Sequence, residues 1–175
     1  MTILSIEEQI VTTDRLQKEV LSVFFTLTVA EGFDNPLFLR NQGFAFVNRV
    51  LHYQGSKPSY WFGVCKPPND FVTGKDGHYH IHGFLGGIAG IENDQTLQSF
   101  WTRSARTRTG RAGIRKSKRV SLGQADFRPL TGNPYVFKYA VGQLQMTPCT
   151  NIQNLKPYAV SEQVAEECGE VMYVG

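Results

Sequence analysis

Residues 78–85 read His-Tyr-His-Ile-His-Gly-Phe-Leu, and the alternation in this stretch decides how the rest of the chain is read. Successive side chains of a strand point to opposite faces, so His78, His80 and His82 share one face while Tyr79 and Ile81 take the other. Outward from this strand, Ser59–Cys65 (SYWFGVC) reads as its predecessor, with a loop rich in Pro, Asp and Gly over residues 66–77 between them. Residues 22–29 (SVFFTLTV) alternate Phe25, Leu27 and Val29 onto one face, and residues 120–130 supply a fourth strand. Helical spacing of apolar residues falls in the gaps. It predicts helices over residues 5–21, over 37–53 with Gly55 and Pro58 as stops, over 94–103, over 135–144 behind Pro134, and over 161–170. After the N-terminal helix the order is βαββαβ followed by a further helix. That order predicts an α+β fold of the ferredoxin-like or RRM-like type, an antiparallel sheet with helices packed on one face and the other face left for a ligand.

A chain of 175 residues and 19.7 kDa is of single-domain size, with the predicted core over about residues 22–146. Apolar residues at 41% against 19% charged provide a core and exclude a disordered chain. The longest apolar stretch, residues 20–29, is broken by Ser and Thr well short of a membrane span, and residues 1–9 carry acids where a signal peptide would carry Lys or Arg. The expectation is a protein neither membrane-bound nor secreted. Three dispersed cysteines, Cys65, Cys149 and Cys168, without a C-x-x-C pair fit a reducing compartment.

Charge is unevenly spread. Of eighteen basic residues, eight (Arg103, Arg106, Arg108, Arg111, Arg115, Lys116, Lys118 and Arg119) fall within residues 103–119 with no acid among them. The other ten face fifteen acidic residues, so a mildly acidic body carries one basic segment suited to a polyanion such as a nucleic-acid backbone.

Neighbouring histidines on one strand face stand ~7 Å apart, within reach of a shared divalent ion, whereas His78 and His82 are ~13 Å apart, so an ion selects one adjacent pair. An isolated H-x-H is equally consistent with surface histidines on a polar face. A structural zinc site through Cys65 lacks the short Cys/His spacings such sites use. In the last strong helix, Tyr135, Lys138 and Tyr139 stand at i, i+3 and i+4 and project together. A phenol of pKa ~10 becomes a competent nucleophile beside an ammonium and a metal-polarised target. Taken alone, the segment also suits half-buried packing tyrosines.

Three segments occur in a telling order: Phe24-Phe25-Thr26-Leu27-Thr28, then His80-Ile81-His82, then Tyr135-x-x-Lys138. In these the chain resembles the HUH superfamily of single-strand DNA nucleases, in particular its replication-initiator (Rep) branch, which starts rolling-circle replication of small phages, viruses and plasmids. The resemblance covers about residues 23–144. The Tyr135–Tyr139 pair is similar to the Y-x-x-K-Y signature of initiators from small single-stranded DNA phages, in which two tyrosines alternate; single-tyrosine members use the first position, here Tyr135.

The resemblance implies nicking and joining of single-stranded DNA at a replication origin. An ion, Mg²⁺ or Mn²⁺, held by His80 and His82 would polarise the scissile phosphate, Tyr135 would form a 5′-phosphotyrosyl link, and Lys138 would offset charge or orient the phenol. It implies work in the cytoplasm of a bacterial or archaeal host, or in the nucleus for a virus of eukaryotes. Many relatives place a carboxylate on the strand before the histidine motif as third ligand, where this sequence has Val64-Cys65-Lys66. His78, Asp70, Asp76 or water then remain as third ligand, and Cys65 suits Mg²⁺ poorly. No G-x-x-x-x-G-K-[ST] motif occurs, so a separate helicase and polymerase are expected partners. A tyrosine transposase or relaxase would share this chemistry. A non-catalytic RRM-like module or a zinc-stabilised structural protein would not.

Overall fold

The computed structural model describes residues 3–29, 35–66, 77–88, 94–104 and 122–155. At its centre, strand β3 (His80–Gly86) is buried at every position. It pairs antiparallel with β1 (Val23–Val29) on one side and with β2 (Ser59–Cys65) on the other. β4 (Leu122–Pro129) adds antiparallel to β1, and the two-residue β5 (Cys149–Thr150) to β2, giving the order β4-β1-β3-β2-β5. The protein is therefore α+β, with a five-stranded antiparallel sheet and four α-helices among the described residues.

The helix ends follow from local chemistry. α1 (Ile6–Lys18) opens on a capping box, in which Ser5 Oγ accepts from the Glu8 amide at 3.2 Å and the Glu8 carboxylate accepts from the Ser5 amide at 2.8 Å. α2 (Pro36–Gln54) is capped by Asn35, whose Oδ1 accepts from the Leu37 and Phe38 amides, and Pro36 sits where no amide bond is lost. It ends at Gly55, whose φ of 71° is the left-handed turn that glycine adopts without strain. α3 (Asp94–Ser104) and α4 (Tyr135–Gly142) complete the set.

Both sheet faces are covered. On one, Phe25, Leu27, Phe62, Ile81 and Leu85 pack against Phe46 and Val50 of α2 and Leu97 and Trp101 of α3. On the other, Phe24, Trp61 and Phe84 pack against Leu16 of α1 and Phe137, Ala140 and Val141 of α4. This corrects the expectation of helices on one face only. The odd-numbered positions of β2 and the even-numbered ones of β1 and β3 carry Trp61, Phe24 and Phe84, and three large apolar rings on one face need cover. α1 and α4 supply it, and only the His80 end of that face stays open. No described helix is long and apolar enough to cross a membrane. Residues 67–76, 105–121 and the helix predicted over 161–170 lie outside the described residues.

α4 is seated through one ring. Phe137 stacks on Phe84 at 4.7 Å between centroids, and Phe84 in turn meets Phe24 at 5.3 Å and Trp61 at 5.7 Å. Phe84→Ala is therefore expected to lower the unfolding free energy by about 3–5 kcal/mol in chemical denaturation. A loss below about 1 kcal/mol would show that α4 is held by other contacts.

Candidate active site

Strand alternation sends His80 and His82 toward the same side as Phe84, and cross-strand register then chooses their neighbours. Thr26 stands opposite His82 and Thr28 opposite His80 on β1, while Gly63 and Cys65 oppose the same two on β2. The two imidazoles turn edge to face with their Nε2 atoms 2.9 Å apart. Each Nδ1 is tied back: His80 Nδ1 lies 3.1 Å from the carbonyl oxygen of His78, and His82 Nδ1 lies 3.0 Å from Thr26 Oγ1. The two Nε2 atoms thus face one point, where a single cation could be held by both imidazoles.

A third donor comes from a residue that sequence reading passed over. Gln143 caps α4 at its C-terminal end, and its Oε1 is buried, lies within interaction range of both imidazoles, and makes no hydrogen bond of its own. A buried oxygen without a donor costs about 1–3 kcal/mol, and a cation is a natural partner for it. The chain after α4 is strapped to the edge of β2: the Lys66 amide donates to Gln143 O at 3.2 Å and the Gln145 amide to Val64 O at 2.9 Å. Leu144 lies so close over Gly63 that a Cβ there would collide with its Cδ2, which makes glycine the residue that permits the approach. The sequence signal for Gln143 is its i+4 relation to Tyr139, one helical turn on.

Cys65, at the strand position where a carboxylate was expected by resemblance, points under α4 with Sγ 3.5 Å from the Ala140 carbonyl. Burial pushes its thiol up to about 12, against a smaller opposing effect of a backbone hydrogen bond at His82, so it stays a neutral thiol. His78 precedes β3, is exposed, and contributes its carbonyl to His80. Among the described residues no cluster of three or more His, Cys, Asp or Glu side chains forms, and the donors at hand are two imidazoles and one amide oxygen. Asp70 and Asp76 lie outside the described residues.

The histidines floor a cleft of about 620 Å³. Thr26 and Thr28 line it from β1, Asp126 and Arg128 from β4, and Tyr135 and Tyr139 from α4. At the register shift between Leu27 and Val29, the Trp101 indole donates to the Thr28 carbonyl at 3.2 Å, which satisfies a backbone group loosened by the bulge. Asp126 and Arg128 pair at 2.7 Å and are exposed, so the pair itself adds little stability. Tyr139 stands closest to the histidines, its ring 5.1 Å from that of His82, and Tyr135 stacks on it at 6.3 Å. Tyr135 is 67% exposed and Tyr139 41%, so both phenols reach solvent from the cleft. Lys138 is exposed and stands outside the lining, because α4 turns Tyr135, Val136 and Tyr139 inward and leaves Lys138 about a quarter turn away. Arg103 falls in the last turn of α3, and the other seven basic residues lie outside the described residues.

Comparison with family models, with curated proteins and with solved structures finds no match to this chain.

Burial sets the protonation of the floor. It drives His82 down to about 3, with the charge on His80 adding to the effect and Gln143 opposing it. His80 is lowered as well, chiefly by burial, against the smaller opposing effects of the His78 carbonyl and the nearby Gln143 side chain. Both rings are neutral at neutral pH, the form that binds metal. Unfolded histidine takes up its proton near pH ~6.5. Folded His82 does so only near pH 3, so between these values the unfolded state binds more protons and stability rises with pH. In EDTA, the Tm is expected to fall as pH drops from 7 to 5, and less steeply in His82→Gln. Equal slopes in the two proteins would assign the titration to other groups.

Proposed function

We propose that this chain is a divalent-metal-dependent nuclease and strand transferase for single-stranded DNA, a replication initiator of the HUH type, with His80, His82 and Gln143 as metal donors and the α4 tyrosines as nucleophiles. One observation carries the reading: a buried pair of neutral imidazoles and two solvent-reaching phenols open into a single cleft. The strand order β4-β1-β3-β2 supports the ferredoxin-like arrangement on which such sites are built. A donor set of two nitrogens and one neutral oxygen, with remaining positions open to water and phosphate oxygens, suits Mn²⁺ better than the oxygen-preferring Mg²⁺.

When bound, the ion supplies Lewis-acid polarisation of the scissile phosphate. The rest is done by the chain. A phenol of α4 attacks phosphorus, giving up its proton to water in the open cleft; its O–P bond forms as the bond from phosphorus to the 3′ oxygen breaks, and the 3′ oxygen takes up a proton from water and leaves as a hydroxyl. The strand remains tied through a 5′-phosphotyrosyl ester, whose reversal by a 3′-hydroxyl rejoins it without a nucleotide cofactor. Resemblance points to Tyr135 as nucleophile, and proximity to His82 favours Tyr139. Arg128, exposed on the opposite wall, is available to a backbone phosphate. The basic stretch of residues 103–119 would hold the incoming strand, a separate helicase and polymerase would continue replication, and the place of action would be the cytoplasm or nucleus of the replicon's host. A base-reading RRM-like role is less well supported, because the aromatic rings on this sheet face, Phe24, Trp61 and Phe84, lie beneath α1 and α4.

Incubation with labelled single-stranded DNA from the chain's own replicon is expected to give a denaturation-resistant adduct with Mn²⁺ and none with EDTA. Tyr139→Phe removes most of it, and Tyr135→Phe/Tyr139→Phe removes all. Tight, salt-sensitive binding with no adduct would sink the nuclease reading. Independently, Gln143→Ala is expected to weaken Mn²⁺ binding at least ~10-fold in calorimetry, with Gln143→Glu retaining it. Unchanged affinity in Gln143→Ala would remove that residue from the donor set.

A further inference from the structure

The hydrogen bonds around the two histidines fix where their protons sit. A carbonyl can only accept, so the proton of neutral His80 lies on Nδ1, facing His78 O at 3.1 Å, and His80 Nε2 carries a lone pair. His82 Nε2 is 2.9 Å from that lone pair. Two bare nitrogens at this distance would repel, so the proton between them belongs to His82 Nε2. Neutral His82 then has a bare Nδ1, and the group 3.0 Å away, Thr26 Oγ1, must donate to it.

Holding a cation between both Nε2 atoms requires the opposite arrangement of His82. Its Nε2 proton must leave, and the neutral ring must carry its proton on Nδ1, pointing at the same Thr26 oxygen. A hydroxyl alone among common side chains of this size can donate in the first state and accept in the second without moving the ring. A carbonyl or carboxylate could only accept, and a methyl could do neither.

We propose that Thr26 is a positioning residue for the metal site, its hydroxyl reversing from donor to acceptor as His82 exchanges tautomers, so that the ring is hydrogen-bonded at Nδ1 in both states. This rests on the metal-binding reading above. The ring stays neutral throughout; only the nitrogen that bears the proton changes. The two histidines thus divide the work: His80 is preset for a metal by a backbone carbonyl, and His82 supplies the proton that keeps the two Nε2 atoms from repelling each other. Register enforces the contact, since Thr26 faces His82 directly across the β1–β3 ladder.

Two measurements on the full chain test this. Nitrogen-15 correlation spectra of the metal-free protein are expected to show His80 protonated at Nδ1 and His82 at Nε2, with His82 changing to Nδ1 on addition of Zn²⁺ as a diamagnetic probe. Calorimetry with Mn²⁺ is expected to show ~10–100-fold weaker binding for Thr26→Val and recovery to within a few-fold of the original for Thr26→Ser. A metal-free His82 already protonated at Nδ1, or Mn²⁺ affinity unchanged in Thr26→Val, would overturn the role of Thr26 while leaving the metal site intact. A folded original protein that binds neither ion would instead overturn the metal-binding reading and this inference with it. Thr26→Ser failing to recover affinity would make the role one of packing, against the proposal.

Discussion

Burial of β3 on both faces is the constraint from which the rest of the molecule follows. Ile81 and Leu85 face α2 and α3, while His80, His82 and Phe84 face the side that α1 and α4 cover. A central strand with a covered second face must be apolar or internally satisfied along its length. Phe84 meets that demand by stacking, and the histidines meet it with each other, Thr26 and the His78 carbonyl. The depressed basicity of both rings follows from the same burial. A pair of imidazoles on an open polar face would have kept ordinary basicity and no fixed geometry.

Much of this was legible in the sequence. Period-two alternation in β1, β2 and β3 and helical spacing in α1 to α4 fall within a few residues of the observed ends, and α1 and α2 are marked by caps and breakers of their own, Ser5 and Glu8, Asn35 and Pro36, Gly55. His80, His82, Tyr135 and Tyr139 were legible as candidates, and the structure brings all four to one cleft. What escaped depends on tertiary contacts. Cover of the second face was missed because Phe24, Trp61 and Phe84 come from three different strands, and their sharing a face is a matter of register between strands. Alternation alone extends the histidine face to His78, but β3 begins at His80 and alternation does not reach beyond the strand's end.

Gln143 was hidden for a different reason. A glutamine just past a helix has no motif around it, and its importance arises only because Leu144 lies on Gly63 and the Lys66 amide bonds to the Gln143 carbonyl. The strand position expected to hold a carboxylate holds Cys65, a neutral buried thiol bonded toward Ala140 of α4. That small side chain lets α4 settle close to β2, and the settled helix carries its terminal amide over the histidines. The neutral thiol at that strand position and the unpaired amide oxygen beside the histidines are thus two consequences of one packing arrangement.

The same helix bears both the phenols and the amide oxygen, and this has a mechanistic consequence for the proposed reaction. Tyr139 lies in the last turn of α4 and Gln143 caps its C-terminal end, so the helix sets their separation to about one turn, ~6 Å of rise. A loop could not hold that relation to the few tenths of an ångström that in-line attack demands. With only eight residues and a single side-chain bond at its start, from the Tyr135 amide to Asn133 Oδ1, α4 owes its position chiefly to its packing. The Phe137 ring on Phe84 and the strap onto β2 then fix the nucleophile and the donor together, so that movement of either would displace both relative to His80 and His82.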